Sequence, residues 1–146
     1  MWSHMGGYRF IDHTADVEFI AHGKTLEETF RNALLALFGT VADTKKLSKS
    51  KTPEKKLVIK ERAETLEDLL WFVLQDALSN ADARGLFFHD AKLRIVQNHT
   101  YEIRAECAGR KKEQNLAKLD VKGVSKFDLK VRKLRNGYEA SVVLDV

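Results

Sequence analysis

The sequence lacks several features that assign proteins to particular classes. It contains one cysteine, Cys107, so an intrachain disulfide is excluded. No apolar run approaches the roughly 18 residues that a membrane helix needs, and no signal peptide opens the chain. We therefore expect a cytoplasmic location and no membrane partner. A phosphate-binding glycine loop, a GxSxG elbow and a zinc-type Cys/His spacing are also missing, which argues against standard nucleotide-binding and acyl-transfer enzymes.

The composition that is present suits a folded domain with a mildly basic surface. Hydrophobic residues make up 44% of the 146 residues and no segment resembles a linker, so we expect a single domain over residues 7–146. We interpret residues 1–6 as a tag or disordered start. Lys and Arg exceed Asp and Glu by 25 to 21, a net charge of +4 that permits contact with RNA or an acidic protein without establishing it.

Two similar segments predict two helices. Lys24-Thr25-Leu26-Glu27-Glu28 and Glu64-Thr65-Leu66-Glu67-Asp68 each combine a Thr that can cap a helix with an acid three residues later. Apolar residues then recur at three- and four-residue steps. A strand-like segment precedes each helix, at residues 17–21 and 57–61. The first half therefore predicts a duplicated strand-helix unit.

The second half has the period of β-strands, with candidates at residues 91–97, 101–108, 126–134 and 138–144. Asn136-Gly137 predicts a tight hairpin turn in which both residues have positive φ. Cys107 shares the apolar positions of its strand and is expected to be a small buried side chain. The predicted fold class is α+β, with two helices packed on a largely antiparallel β-sheet.

Acidic motifs lie at both ends of this pattern, Asp12-His13-Thr14-Ala15-Asp16 and Leu144-Asp145-Val146. If the fold brings them together, their carboxylates could form a site for a hard cation. Strand alternation turns Asp145 away from the Leu144 face, which is equally expected for a solvated strand end. His13 could act as a general base oriented by a neighbouring carboxylate, or serve as a structural hydrogen-bonding hub.

Two basic stretches have simple structural interpretations. The lysines between Lys45 and Lys56 surround Ser48, Ser50 and Pro53, which predicts a charged loop. Lys126, Lys130 and Arg132 alternate with apolar residues, as on the wet face of a half-buried strand. No aromatic residue is interleaved on that face, so a stacking platform for single-stranded RNA is not indicated, although phosphate contact stays open.

The motifs together resemble the archease family. The resemblance is carried by Tyr8-Arg9-Phe10-Ile11-Asp12-His13-Thr14-Ala15-Asp16-Val17, His22-Gly23-Lys24-Thr25-Leu26-Glu27-Glu28 and Val142-Val143-Leu144-Asp145-Val146. Val121-Lys122-Gly123-Val124-Ser125 is similar to a further family stretch, but Lys126-Phe127 stands where the family commonly has Tyr-His. The second helix also departs from the family's usual Trp-Leu-Asn-Glu-Leu, with Val73-Leu74-Gln75-Asp76-Ala77 in its place.

The resemblance implies a protein cofactor rather than an enzyme. Archease assists the RNA-splicing ligase that joins 3'-phosphate to 5'-hydroxyl RNA ends in tRNA splicing and RNA repair, promoting guanylylation of the ligase histidine and multiple turnover. The resemblance also implies a metal site at Asp16, Asp145 and the terminal carboxylate of Val146. Asp12, His13 and Lys122 are then expected to contact or activate the ligase. Such an oxygen set favours Ca²⁺, with Mg²⁺ or Mn²⁺ as alternatives. RNA contact is then expected mainly through the ligase.

Two other functions remain open at this stage. A metal-dependent phosphoester hydrolase could use Asp12, His13, Asp16 and Asp145. An RNA-binding or chaperone-like adaptor could use the lysine-rich surface.

Overall fold

The computed structural model describes residues 7–11 and 16–146. In chain order its elements are β1 (Tyr8–Ile11), β2 (Val17–Gly23), α1 (Leu26–Val41), α2 (Thr44–Ser48), β3 (Lys55–Ala63), α3 (Leu66–Arg84), β4 (Leu86–Gln97), β5 (Tyr101–Lys111), a short 3-10 turn (Gln114–Leu116), β6 (Gly123–Val124), β7 (Lys130–Leu134) and β8 (Gly137–Asp145). The strand-helix-strand-helix order predicted for the first half is confirmed.

The two long helices begin where their capping motifs predict. The Thr25 hydroxyl accepts a hydrogen bond from the Glu28 N–H at 3.1 Å, and Thr65 does the same for Asp68 at 3.1 Å. Each bond satisfies one of the backbone donors that a helix start leaves unpaired. α3 ends at Gly85, which has φ +65°, a left-handed conformation that favours glycine.

The strands form two antiparallel sheets. The larger sheet has the order β1-β2-β8-β6, and β7 also pairs with β8. The smaller sheet has the order β3-β5-β4. The two strand-helix units therefore contribute to different sheets, because β2 pairs with β8 whereas β3 pairs with β5. The α+β class with antiparallel sheet is confirmed, with two sheets in place of one.

Both long helices pack against both sheets. α1 contacts β2 and β8 of the larger sheet and β4 of the smaller one, while α3 contacts β3, β4 and β5 as well as β6 and β7. This position explains why α1 is buried around most of its circumference. The core includes the fully buried side chains Phe19, Phe30, Leu34, Leu70, Leu74, Val142 and Leu144. None of the helices in residues 7–11 and 16–146 is long and apolar enough to cross a membrane.

The last hairpin is confirmed, but its turn lies one residue earlier than predicted. Leu134 pairs with Gly137, so Arg135 and Asn136 are the turn residues and Gly137 begins β8. Asn136 does not have positive φ, whereas Gly137 has φ +148°. A side chain at Gly137 would collide with the carbonyl of Gly23. The glycine is therefore required both by its positive φ and by the close approach of the Gly23 backbone.

Two other segment predictions are wrong in part. The strand predicted from Lys126 begins only at Lys130, because Ser125 donates to the Asp128 carboxylate at 2.8 Å and closes a turn. In the segment predicted as a charged loop, residues 44–48 form α2. The Asp43 side chain caps this helix, and the side chain of Leu47, within the helix, is fully buried.

Candidate functional site

Asp16 and Asp145 flank the last residue pair at one end of the larger sheet. β2 and β8 pair from Gly23↔Tyr138 through Val17↔Leu144, Asp16 precedes Val17 and Asp145 follows Leu144, so the same register extended by one position would set the two aspartates opposite each other. Directly opposite residues in an antiparallel pair have Cβ atoms about 4.5–5.5 Å apart and point to the same face. The register therefore predicts two neighbouring carboxylates at this end of the sheet, which we call the acidic tip.

Asp145 is exposed although the residue before it is fully buried. Ala140, Val142 and Leu144 face the core, and Asp145 falls on the opposite face. The predicted orientation of Asp145 is confirmed. Val146 is 40% exposed.

β6 lies beside the acidic tip and brings Lys122 to it. Gly123 pairs with Asp145, and the Lys122 N–H donates to the Asp145 carbonyl at 2.7 Å. A Cβ built on Gly123 would lie 3.8 Å from a carboxylate oxygen of Asp145 and 3.8 Å from the amide oxygen of Gln75. The Lys122 side chain is exposed. Backbone and side chains of three strands, β2, β6 and β8, thus converge here.

Two residues of α3 hold the short β6 in place. The Trp71 indole N–H donates to the Val124 carbonyl at 2.8 Å, and the Gln75 amide oxygen accepts from the Val124 N–H at 3.0 Å. The side chains are one helical turn apart, so they clamp both polar groups of one residue. Our sequence reasoning missed this role. A Trp and a Gln at i and i+4 beside a helical apolar stripe were the available signal.

The turn after β6 presents an aromatic side chain to solvent. The Lys126 ammonium lies over the Trp71 ring, 5.2 Å from its centroid, and the next residue, Phe127, is 91% exposed. The Lys126 ammonium therefore makes a cation–π contact, whereas the Phe127 side chain extends into solvent. These residues stand where the family that the sequence resembles commonly has Tyr-His.

The remaining candidate residues are Asp12 and His13, which lie outside the described residues. Over residues 7–11 and 16–146, no group of three or more His, Cys, Asp or Glu side chains could hold a metal. The predicted set contains only two such side chains, Asp16 and Asp145, because its third member is a main-chain carboxylate. All of its donors are oxygens, which fits a hard cation and does not fit a site that needs nitrogen or sulfur.

Cys107 is not a candidate ligand for a metal site. It is fully buried in β5, and burial, with a smaller contribution from the Glu106 charge, raises the pKa of its thiol to about 12. The prediction of a structural cysteine is confirmed, because a protonated and inaccessible thiol is unreactive.

Comparison with known proteins identifies the family. The sequence model of the Archease protein family matches residues 8–146. The chain belongs to the archease family. Protein archease of Methanosarcina barkeri is 34% identical over 143 residues, covering 95% of each chain. Protein archease of Pyrococcus furiosus is 33% identical over 146 residues, covering 97% of this chain and all of the relative.

Two solved structures share the fold of this archease-family chain. The solution structure of Methanobacterium thermoautotrophicum protein 1598 superposes with a TM-score of 0.78 at 27% identity, covering 97% of this chain and 100% of that one. A crystal structure from Thermotoga maritima, described as an archease and possible chaperone, has a TM-score of 0.59 at 23% identity, covering 99% and 100%. The second likeness concerns the fold alone. The two-sheet arrangement is thus that of solved relatives.

Proposed function

We propose that this chain is an accessory protein that activates an RNA-splicing ligase of the 3'-phosphate/5'-hydroxyl type in tRNA splicing and RNA repair. It promotes guanylylation of the ligase histidine and supports multiple turnover, without a nucleophile of its own. The observation that carries the proposal is the archease family match over residues 8–146, which includes every candidate site residue.

The acidic tip is the proposed working surface. Asp16, Asp145 and the terminal carboxylate of Val146 would hold a divalent cation, with Ca²⁺ favoured and Mg²⁺ or Mn²⁺ as alternatives. A bound cation supplies positive charge that neutralises the repulsion among these carboxylates. The antiparallel register between β2 and β8 supports this assignment, because the same register extended by one position beyond Val17↔Leu144 would set the two aspartates opposite each other.

The chain's own residues then position the ligase. Lys122 is exposed beside the acidic tip and offers an ammonium group to a carboxylate or phosphate. Asp12 and His13 are proposed to contact the ligase from the same motif as Asp16. Orientation and charge neutralisation account for much of the catalysis of phosphoryl transfer, so an accessory protein can accelerate it by placing groups correctly.

The decisive experiment adds the protein to a cognate RNA-splicing ligase with GTP and metal and measures ligase guanylylation and RNA turnover. We expect Asp16→Ala and Asp145→Ala to reduce stimulation at least tenfold. The matched control is Asp120→Ala, which removes an exposed loop carboxylate. Full stimulation by both tip variants would contradict the site. Multiple turnover of a phosphoester by the protein alone would indicate the hydrolase instead.

The cation is tested separately by calorimetric titration with Ca²⁺. One added alanine after Val146 moves the terminal carboxylate away from Asp145, and we expect it to weaken Ca²⁺ binding as much as Asp145→Asn does. Asp120→Asn should bind Ca²⁺ as the unmodified chain does. Equal Ca²⁺ affinity in all four proteins would rule out the proposed ligand set.

A further inference from the structure

The outer face of the smaller sheet is a basic surface separate from the acidic tip. On β3 and β5, Ile59, Ile103 and Ala105 are buried beneath the helices, so the side chains between them point outward. This outer face forms a shallow depression of about 960 Å³. Cations outnumber carboxylates along it. Over residues 56–62, 92–96 and 102–106, the charged side chains that face outward are Lys56, Lys60, Arg62, Lys92, Arg94, Glu102, Arg104 and Glu106.

Three of these cations form one row across the sheet, which we call the cationic row. Lys60 of β3 is directly opposite Arg104 of β5, and Arg104 is directly opposite Arg94 of β4. All three side chains are exposed. Like charges directly opposite each other on a sheet are destabilising. The fold therefore tolerates a repulsive arrangement that an anionic ligand would relieve.

The carboxylates of this face do not compensate the cationic row. Glu102 is paired with Arg62 at 2.8 Å, and Glu106 lies 3.7 Å from Lys56. Within the described part of the chain, the side chains of Lys60, Arg94 and Arg104 make no ion pair with a carboxylate. Both carboxylates therefore have a cationic partner outside the row.

Protection against edge-to-edge aggregation does not explain the row. Charged side chains commonly serve that purpose on edge strands, and here Lys60 and Arg94 are on the two edges. Arg104, however, is on the central strand β5, whose backbone is paired on both sides. A cation on a central strand does not prevent edge-to-edge aggregation, so the position of Arg104 favours a ligand-binding role.

We propose that the outer face of the smaller sheet binds the phosphate backbone of structured RNA through Lys60, Arg94 and Arg104. Arg and Lys are the usual phosphate contacts, and the row spans two strand spacings, about 10 Å. The apolar side chains on the face are Val58, Val96 and Ala108. With no aromatic side chain among them, base stacking is not offered, so binding is to backbone and shape and is independent of sequence. The choice of RNA over DNA rests on the proposed function.

The cationic row and the acidic tip are on different sheets. The Ile95 N–H, next to Arg94, donates to Glu27 in the first turn of α1. α1 starts beside the Gly23↔Tyr138 end of the larger sheet, and Asp145 is at the other end of β8, about 23 Å along the strand. RNA on the row would leave the acidic tip free for the ligase.

The test measures fluorescence anisotropy of a labelled 16-base-pair RNA hairpin with the full chain at 50 and 200 mM salt, without ligase. We expect the triple variant Lys60→Gln, Arg94→Gln, Arg104→Gln to lose at least tenfold in affinity at 50 mM salt. Its salt slope should fall by about 3, close to one phosphate contact for each cation.

The matched control is Lys45→Gln, Lys46→Gln, Lys49→Gln, which removes the same charge from an exposed segment. We expect its affinity to change less than twofold. Equal loss in both triple variants would show that binding depends on overall charge and would overturn the proposal, as would unchanged binding by the row variant. Competition by polyglutamate equal to that by unlabelled hairpin would point to an acidic protein partner instead.

Two further measurements separate this proposal from misfolding and from the ligase function. Removing like-charge repulsion should leave the row variant at least as stable to urea as the control. Guanylylation of the ligase, measured without RNA, should be unchanged in the row variant. Lost guanylylation with retained RNA affinity in the acidic-tip variants would show that the two surfaces act independently.

Discussion

At Glu61 the fold keeps a carboxyl group protonated to higher pH than in the unfolded chain. A hydrogen bond with the Asp76 carboxyl, then burial, then the Asp76 charge raise the pKa of Glu61 from 4.5 to about 7. Below pH 4.5 the group is protonated in both the folded and the unfolded chain. Between about pH 4.5 and 7 only the folded chain keeps the proton, so stability falls as pH rises through this window.

We predict that Glu61→Gln removes this pH dependence, because the amide can stay hydrogen-bonded to Asp76 and never ionises. The free energy of unfolding in urea, measured at pH 5, 6, 7 and 8, should decline less steeply for the variant. Its advantage over the unmodified chain should be largest at pH 8. Asp120→Asn, at an exposed loop position, is the control and should keep the original slope. Parallel slopes for all three proteins would contradict the prediction.

Phe127 offers a residue-scale test of whether the turn after β6 belongs to the proposed ligase-binding surface. It is 91% exposed and follows a lysine already held over Trp71. We predict that Phe127→Ala changes the free energy of unfolding by less than about 0.5 kcal/mol, since no packing is lost. Exposed aromatics often anchor protein interfaces, so the ligase concentration needed for half-maximal stimulation should rise several-fold. Leu119→Ala, which removes another exposed apolar side chain, should leave that concentration unchanged.

At the scale of elements, the acidic tip depends on the clamp that α3 applies to β6. Gln75→Leu leaves the Val124 N–H without its acceptor, which costs about 1–3 kcal/mol if no water replaces it. We predict that Ca²⁺ affinity falls together with the free energy of unfolding, because β6 pairs with Asp145. Gln97→Leu, at an exposed position on β4, should change neither quantity. A Gln75→Leu protein with normal Ca²⁺ binding would show that the tip forms without the clamp.

The elements that sequence reasoning predicted correctly are those specified locally. Both long helices follow from a capping Thr and an apolar stripe within one segment, and the outward position of Asp145 follows from two-residue alternation in β8. The turn after β6 was missed because Phe127 and Leu129 alternate with polar residues as a strand does. In the structure the Ser125–Asp128 hydrogen bond closes a turn there instead. The division into two sheets depends on distant partners, which no local pattern encodes.

The candidate site likewise depends on strand pairing that a local sequence pattern does not encode. The acidic motifs are visible in the sequence, yet setting Asp16 opposite Asp145 requires the pairing of β2 with β8. That choice of aspartate came from the archease resemblance rather than from periodicity. The cationic row could not be predicted from the sequence either. Lys60, Arg94 and Arg104 belong to three strands and become neighbours only through the registers of those strands.

At the scale of the whole molecule, α1 links the two sheets, and its core residues should support both. Leu34 is fully buried in this helix. We predict that Leu34→Ala lowers the free energy of unfolding by about 2–5 kcal/mol. Circular dichroism and chemical labelling of Cys107, which is in the smaller sheet, should give coincident urea transitions. Leu119→Ala, 45% exposed, should cost less than about 0.5 kcal/mol. Separate transitions for the two probes would show that the sheets unfold independently.

The position of β8 has a consequence for how the protein is made. This strand pairs with β2, β6 and β7, and it follows all of them in the chain. During synthesis, β2 cannot pair with β8 until the chain has been extended by more than a hundred residues, and pairing between such distant segments slows folding. Until β8 emerges from the ribosome, one edge of β2 stays open to unwanted association. A nascent chain stalled before Gly137 should therefore be a preferred client of cellular chaperones.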